Sequence, residues 1–138
     1  RVKKKNDINK DKWIGIGGKF EAEESPDECL LREAQEETGL TPDALDGLQL
    51  RYITMRHKAG EIRQNYYYFA ALKDGIDVQN SNEGRLEWHD MSALDALPMP
   101  VTARHVIDHY LRVGRFDDKL YGGITRSNGS VFTEMNDF

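Results

Sequence analysis

Residues 17–40, GGKFEAEESPDECLLREAQEETGL, constrain this chain more than any other stretch, because helix-end signals enclose a concentrated run of acid. Ser25 is an N-cap by type, Pro26 suits the first helical turn, and Glu28 stands where a capping-box carboxylate reaches back to the Ser25 amide. Gly39 supplies the C-cap and Pro42 prevents continuation. At ~3.6 residues per turn, Glu33, Glu36 and Glu37 share one face, with Leu31, Ala34 and Thr38 on the other. The expectation is a helix packed on one side and lined with carboxylates on the other.

Like charges one turn apart cost a helix about 0.2–0.5 kcal/mol per pair, so a helix kept for structure alone gains nothing from this face. A divalent cation reverses the sign. Oxygen-only donors suit the hard ions Mg²⁺ or Mn²⁺, which are held by a few carboxylates together with substrate phosphate. The competing reading is a solvated acidic face, the ordinary fate of a charge run.

The motif reaches beyond the helix. Gly18, five residues, Glu24, seven residues, and then Arg32-Glu33-Ala34-Gln35-Glu36-Glu37-Thr38-Gly39-Leu40 resemble the Nudix hydrolase signature at every specified position. Residues 1–16, with RVKKKND and KWIGI, are similar to the MutT-like branch of that family, which hydrolyses nucleoside triphosphates including oxidised guanine nucleotides. The resemblance implies an α/β fold, the Nudix α/β/α sandwich with a mixed central sheet. It also implies that the first strand is missing here, with only Arg1 and Val2 left of it.

The same resemblance implies roles. Glu33, Glu36, Glu37 and the Gly17 carbonyl become metal ligands, and Lys19 borders the phosphate site. Glu83, in NEGRLEW, takes the place of an additional metal-approaching carboxylate, with Glu87 its rival. Glu33 is the first choice for the base that activates water and Glu83 the second. Arg32 stays protonated and cannot be a base, so its place in the catalytic set is to pair with Glu24 or a neighbouring carboxylate and hold the helix face in register. The implied reaction is Mg²⁺-dependent (or Mn²⁺-dependent) hydrolysis of a nucleoside diphosphate-linked substrate, foremost a (d)NTP such as 8-oxo-dGTP, to monophosphate and pyrophosphate. ADP-ribose, sugar nucleotides, dinucleoside polyphosphates and a non-catalytic nucleotide-sensing module remain alternatives.

Composition narrows the partners. A chain of 138 residues fits one domain, residues 1–138, and no apolar run approaches the ~20 residues of a membrane-spanning helix. Cys29 is the single cysteine, which excludes an internal disulfide and fits a reducing cytoplasm; its surroundings read as packing. A net charge of −5 argues against a general nucleic-acid binder; the resemblance implies a small-molecule nucleotide as the partner, bound by a monomer or homodimer. The basic start, with Arg1, Lys3, Lys4, Lys5, Lys10 and Lys12, reads either as a solvated arm or as a source of cations for substrate phosphates, Arg1 and Lys3 among them.

Elsewhere, residues 13–16 have the apolar weight of a short strand, and residues 48–55 and 61–72 read as a hairpin turning at 58–60. The alternation of Tyr66, Tyr67, Tyr68 and Phe69 sends two to the core and two elsewhere, making Tyr66 and Tyr68 candidates for a nucleobase wall. Residues 85–90 suggest another strand with Trp88 in the core, residues 92–97 a short helical turn, and residues 102–113 a helix with Val106, Ile107, Tyr110 and Leu111 as its packing stripe. His105 and His109 stand four apart but have no third ligand spaced to complete a metal site. Residues 116–138 read as short strands, with turns at Gly122-Gly123 and Asn128-Gly129.

Overall fold

The local signals around Ser25 set the first helix. In the computed structural model, which describes residues 12–80 and 84–137, α1 spans Pro26–Thr38. Ser25 Oγ accepts the Glu28 N–H at 3.2 Å, and Gly39 closes the helix at φ 75°, its N–H donating to the Gln35 carbonyl at 2.9 Å. That left-handed geometry costs glycine little and other residues more. Thr38 Oγ1 then caps from inside, donating to the Ala34 carbonyl and accepting from the Leu40 N–H at 3.2 Å.

The strands β1 (Leu45–Lys58), β2 (Glu61–Leu72), β3 (Leu120–Arg126) and β4 (Gly129–Met135) form one mixed sheet in the order β2-β1-β3-β4, and α2 covers Val101–Arg112. β1 runs parallel to β3 with Tyr52 opposite Tyr121, and β3 antiparallel to β4 with Gly123 opposite Phe132. Ala59 and Gly60, both at positive φ, make the tight β1–β2 turn that a right-handed strand twist favours. The fold is α/β, as the sequence implied.

The chain divides into two compact units. The first holds residues up to Leu48 and Ala70–Pro100; the second holds Gln49–Phe69 and Val101–Phe138. In the first, the Lys73 N–H donates to the Ala44 carbonyl just before β1 and the Gln79 N–H to the Thr38 carbonyl at the end of α1, both at 2.9 Å, so the stretch after β2 is tied to the segment between α1 and β1. The second has its own core of Tyr52, Val106 and Tyr121, against which Tyr67, Phe69, Tyr110 and Phe132 pack. Tyr52 stacks on Tyr121 with centroids 5.5 Å apart, and its hydroxyl meets His109 Nδ1 at 2.7 Å. Arg51 is buried beside them, bound to the Gly114 and Lys119 carbonyls and to Asp117.

Four sequence expectations are corrected. Residues 13–16 form no strand: Trp13 stands in an isolated bridge, its N–H donates to the Pro98 carbonyl at 2.7 Å, and the glycines that follow break any ladder. Residues 85–90 are likewise not a strand. The Leu86 N–H is taken by Asn80 Oδ1 at 2.9 Å, while Arg85 and His89 turn onto the Trp13 ring. Trp88 is 73% exposed, outside any core. Gly122 and Gly123 are not a turn but the middle of β3, where a Cβ on Gly123 would collide with the Phe132 ring at 2.7 Å.

Candidate active site

The loop before α1 lies along the helix, and three consecutive residues are each anchored to it. The Gly17 N–H donates to Glu37 Oε2 at 3.1 Å, Cys29 Sγ approaches the Gly18 carbonyl at 3.9 Å, and Arg32 Nη2 donates to the Lys19 carbonyl at 3.1 Å. Cys29, Glu33 and Glu37 recur every four residues, so they form one stripe facing the loop. Gly18 fits because it has no side chain. A Cβ there would run into the Glu33 carboxylate.

Arg32 stands at the centre of the acid. Its Nε donates to Glu24 Oε1 at 2.6 Å and its Nη2 to Glu24 Oε2 at 3.1 Å, a two-point fork. Nη1 reaches Glu33 at 3.0 Å and Glu36 at 3.2 Å, and Glu21 lies 3.7 Å away. The Arg32 hydrogen bond, helped by the Glu21 N–H, holds the Glu24 carboxyl down at about 2. Reciprocally, Glu24 raises the Arg32 guanidinium above its ordinary value. Cys29 is buried, and burial pushes its thiol up, which fits packing and not nucleophilic chemistry.

The sequence placed Glu33, Glu36 and Glu37 together on an open acidic face. Glu37 departs from this: it is only 2% exposed and turned to the loop, because the Gly17 N–H draws it in. Nothing local in the sequence signals that burial. Glu21 was also missed as an Arg32 partner, although its place three residues before Glu24 made the contact possible. Lys19, the third anchored residue of the loop, is exposed. Tyr66 and Tyr68 belong to the second unit and are half-buried, the Tyr66 hydroxyl donating to Gln64 Oε1 at 3.4 Å. Glu87 lies 3.5 Å from Arg85 Nη2 and 3.6 Å from His89 Nε2. Arg1, Lys3 and Glu83 lie outside the described residues.

Among the described residues, no three acidic, histidine or cysteine side chains converge as a ready metal site. Arg32 holds the oxygens of Glu33 and Glu36, standing where a cation would compete for them. The donor set itself fits a hard divalent ion, being oxygen throughout, from carboxylates and the Gly17 carbonyl. No helix among the described residues is long and apolar enough to cross a membrane.

A family model described as a NUDIX domain matches residues 1–110. A curated relative, the Uncharacterized Nudix hydrolase YvcI of Bacillus subtilis (strain 168), is 33% identical over 105 residues, covering 72% of this chain and 65% of that protein. The chain therefore spans just under two-thirds of the length of that relative. Among solved structures, the Mutator MutT protein from Bacillus halodurans superimposes with a TM-score of 0.66 at 27% identity, covering 89% of this chain and 82% of that one.

Proposed function

The chain belongs to the NUDIX domain family, and from that premise we propose that it is a pyrophosphohydrolase, one NUDIX domain over residues 1–138 that cleaves a phosphoanhydride of a nucleotide. The observation that carries this reading is the Glu24–Arg32 fork, which fixes the helix face on which Glu33 and Glu36 stand beside a glycine loop. Nudix enzymes generally use divalent cations. Here Glu33, Glu36, Glu37 and the Gly17 carbonyl, with Glu83, would hold Mg²⁺ or Mn²⁺. When bound, the ion supplies charge neutralisation at the phosphates and lowers the pKa of water.

The chain's own groups divide the remaining work. Glu33 is the first candidate to take a proton from the attacking water and Glu83 the second, and Arg32 is a positioning residue that keeps Glu24, Glu33 and Glu36 in register. Lys19, Arg1 and Lys3 would meet phosphate oxygens, and Tyr66 and Tyr68 would contribute an aromatic wall for the base. A sensing module usually loses signature carboxylates; Glu24, Glu33, Glu36 and Glu37 are all retained.

The favoured substrate is a nucleoside triphosphate such as 8-oxo-dGTP, handled in the cytoplasm by a monomer or homodimer, with monophosphate and pyrophosphate as products. The likeness to the MutT protein supports this substrate class. The test is a Mg²⁺- and Mn²⁺-dependent hydrolysis screen across triphosphates, ADP-ribose, sugar nucleotides and dinucleoside polyphosphates, with products identified by ³¹P NMR. Turnover of ADP-ribose alone would move the substrate, and no turnover by folded protein would overturn the enzyme reading. Ile14 and not an asparagine stands directly after Trp13, and residues 98–103 hold no asparagine to read a purine edge, so the ratio of kcat/KM for 8-oxo-dGTP over dGTP is expected to be modest.

A further inference from the structure

α2 and β4 of the second unit enclose a cleft of about 250 Å³, lined by His105, Asp108, His109 and Arg112 from the helix and by Ser130 and Phe132 from the strand. His105, His109 and Arg112 share a face because their spacing of four and three follows the helical repeat. The cleft's one carboxylate is already matched: Asp108 Oδ1 lies 3.1 Å from Arg104 Nη1. Its remaining formal charge is that of Arg112.

The donors are partly spent and partly not. Arg112 Nε donates to the Asp108 carbonyl at 3.2 Å, which answers the exposed carbonyls of the last helical turn. Among the described residues its Nη1 and Nη2 meet no acceptor. His109 Nδ1 faces the Tyr52 hydroxyl at 2.7 Å; with the phenol donating, a neutral ring carries its proton on Nε2. Burial lowers the pKa of His109, consistent with that neutral form. His105 Nδ1 is held by Ser130 Oγ at 2.7 Å, and Ser130 in turn bonds Thr125 Oγ1 at 3.2 Å, so the first imidazole is fixed in place from β4. Phe132 lies against His109 with ring centroids 4.7 Å apart and supplies an apolar floor.

The geometry points to a small-oxyanion site in this cleft, with a phosphate group gripped by the Arg112 fork and the His109 Nε2–H, and His105 as the flanking wall. A guanidinium with two parallel N–H groups suits a tetrahedral oxyanion better than any neutral ligand. The phosphate could be free or could belong to a mononucleotide whose base lies on Phe132. The site shares no residue with the acidic helix.

The test is NMR titration of the full chain with inorganic phosphate, following the His105 and His109 ring resonances. Saturable shifts are expected in the wild type and in Glu36→Gln, weakened about tenfold or more in Arg112→Gln and partly kept in Arg112→Lys. Circular dichroism establishes that each variant is folded. Non-saturable shifts, or equal affinity in folded Arg112→Gln, would overturn the site. A parallel titration with AMP and adenosine separates the sources: tighter binding of AMP than phosphate assigns a mononucleotide, and equal binding assigns free phosphate. Adenosine binding as tightly as AMP would overturn anion recognition. None of these readouts uses turnover, so failure here leaves the hydrolase reading standing, and the reverse.

Discussion

Arg32 grips Glu24 with two nitrogens, at 2.6 and 3.1 Å, across the eight-residue separation between the loop and the middle of α1. Because the third nitrogen of the same guanidinium touches Glu33 and Glu36, this pair determines where the acidic face points.

That pair makes stability depend on acid. Glu24 titrates near 4.5 when unpaired and at about 2 in the fold, so its contribution is fully present above the unfolded value and is lost as pH falls through about 2. In Arg32→Ala, Glu24 should titrate close to the ordinary carboxylate range, and the melting temperature should fall less steeply between about pH 5 and 2. Carbon-detected NMR of the Glu24 carboxyl and thermal melts across pH measure both. An unmoved Glu24 titration in Arg32→Ala would contradict the account.

Gly18→Ala separates folding from positioning. The added methyl meets the end of a flexible side chain, so Glu33 moves aside, and the melting temperature should change little. Turnover should nonetheless drop by about tenfold or more, because a displaced catalytic group is costly. Wild-type turnover in this variant would show that the Glu33 position over Gly18 is unimportant.

Cation binding should raise the melting temperature through selective binding to the folded chain. Glu36→Gln and Glu37→Gln should each weaken the response to Mg²⁺ and Mn²⁺, with Glu37→Gln also loosening its Gly17 contact. Calorimetric melts with and without metal give the answer, and an unchanged response in both variants would remove the acidic face as a cation site.

In the second unit, Arg51→Met should destabilise the fold by about 1–3 kcal/mol, since it removes the buried donor to the Gly114 and Lys119 carbonyls, while Asp117 keeps the Tyr121 hydroxyl and the Lys119 N–H. Tyr121→Phe, which removes one hydrogen bond to Asp117, should cost less. Urea unfolding curves distinguish the two; equal midpoints for Arg51→Met and wild type would contradict the buried role.

The helix α1 was legible because its determinants are local: Ser25, Pro26 and Gly39 act on neighbouring backbone groups. The signature spacing likewise showed which residues gather near Arg32. What escaped depends on residues far apart in sequence. Glu37 is buried by a loop 20 residues earlier, Gly123 is accommodated in a strand by Phe132 across the ladder, and Arg51 is buried by carbonyls more than 60 residues away. Trp88 looked like core by type, yet the backbone around it is held by Asn80 and not by a strand partner, leaving the indole outside.

Glu33 is assigned to proton transfer and not to support alone, and replacing its carboxylate by an amide separates the two roles. On the best substrate of the screen, with saturating Mg²⁺, Glu33→Gln should lower kcat by about 10²–10⁴-fold, while nucleotide affinity changes by no more than a few-fold. A folded Glu33→Gln protein that turns over within about twofold of wild type would contradict the account.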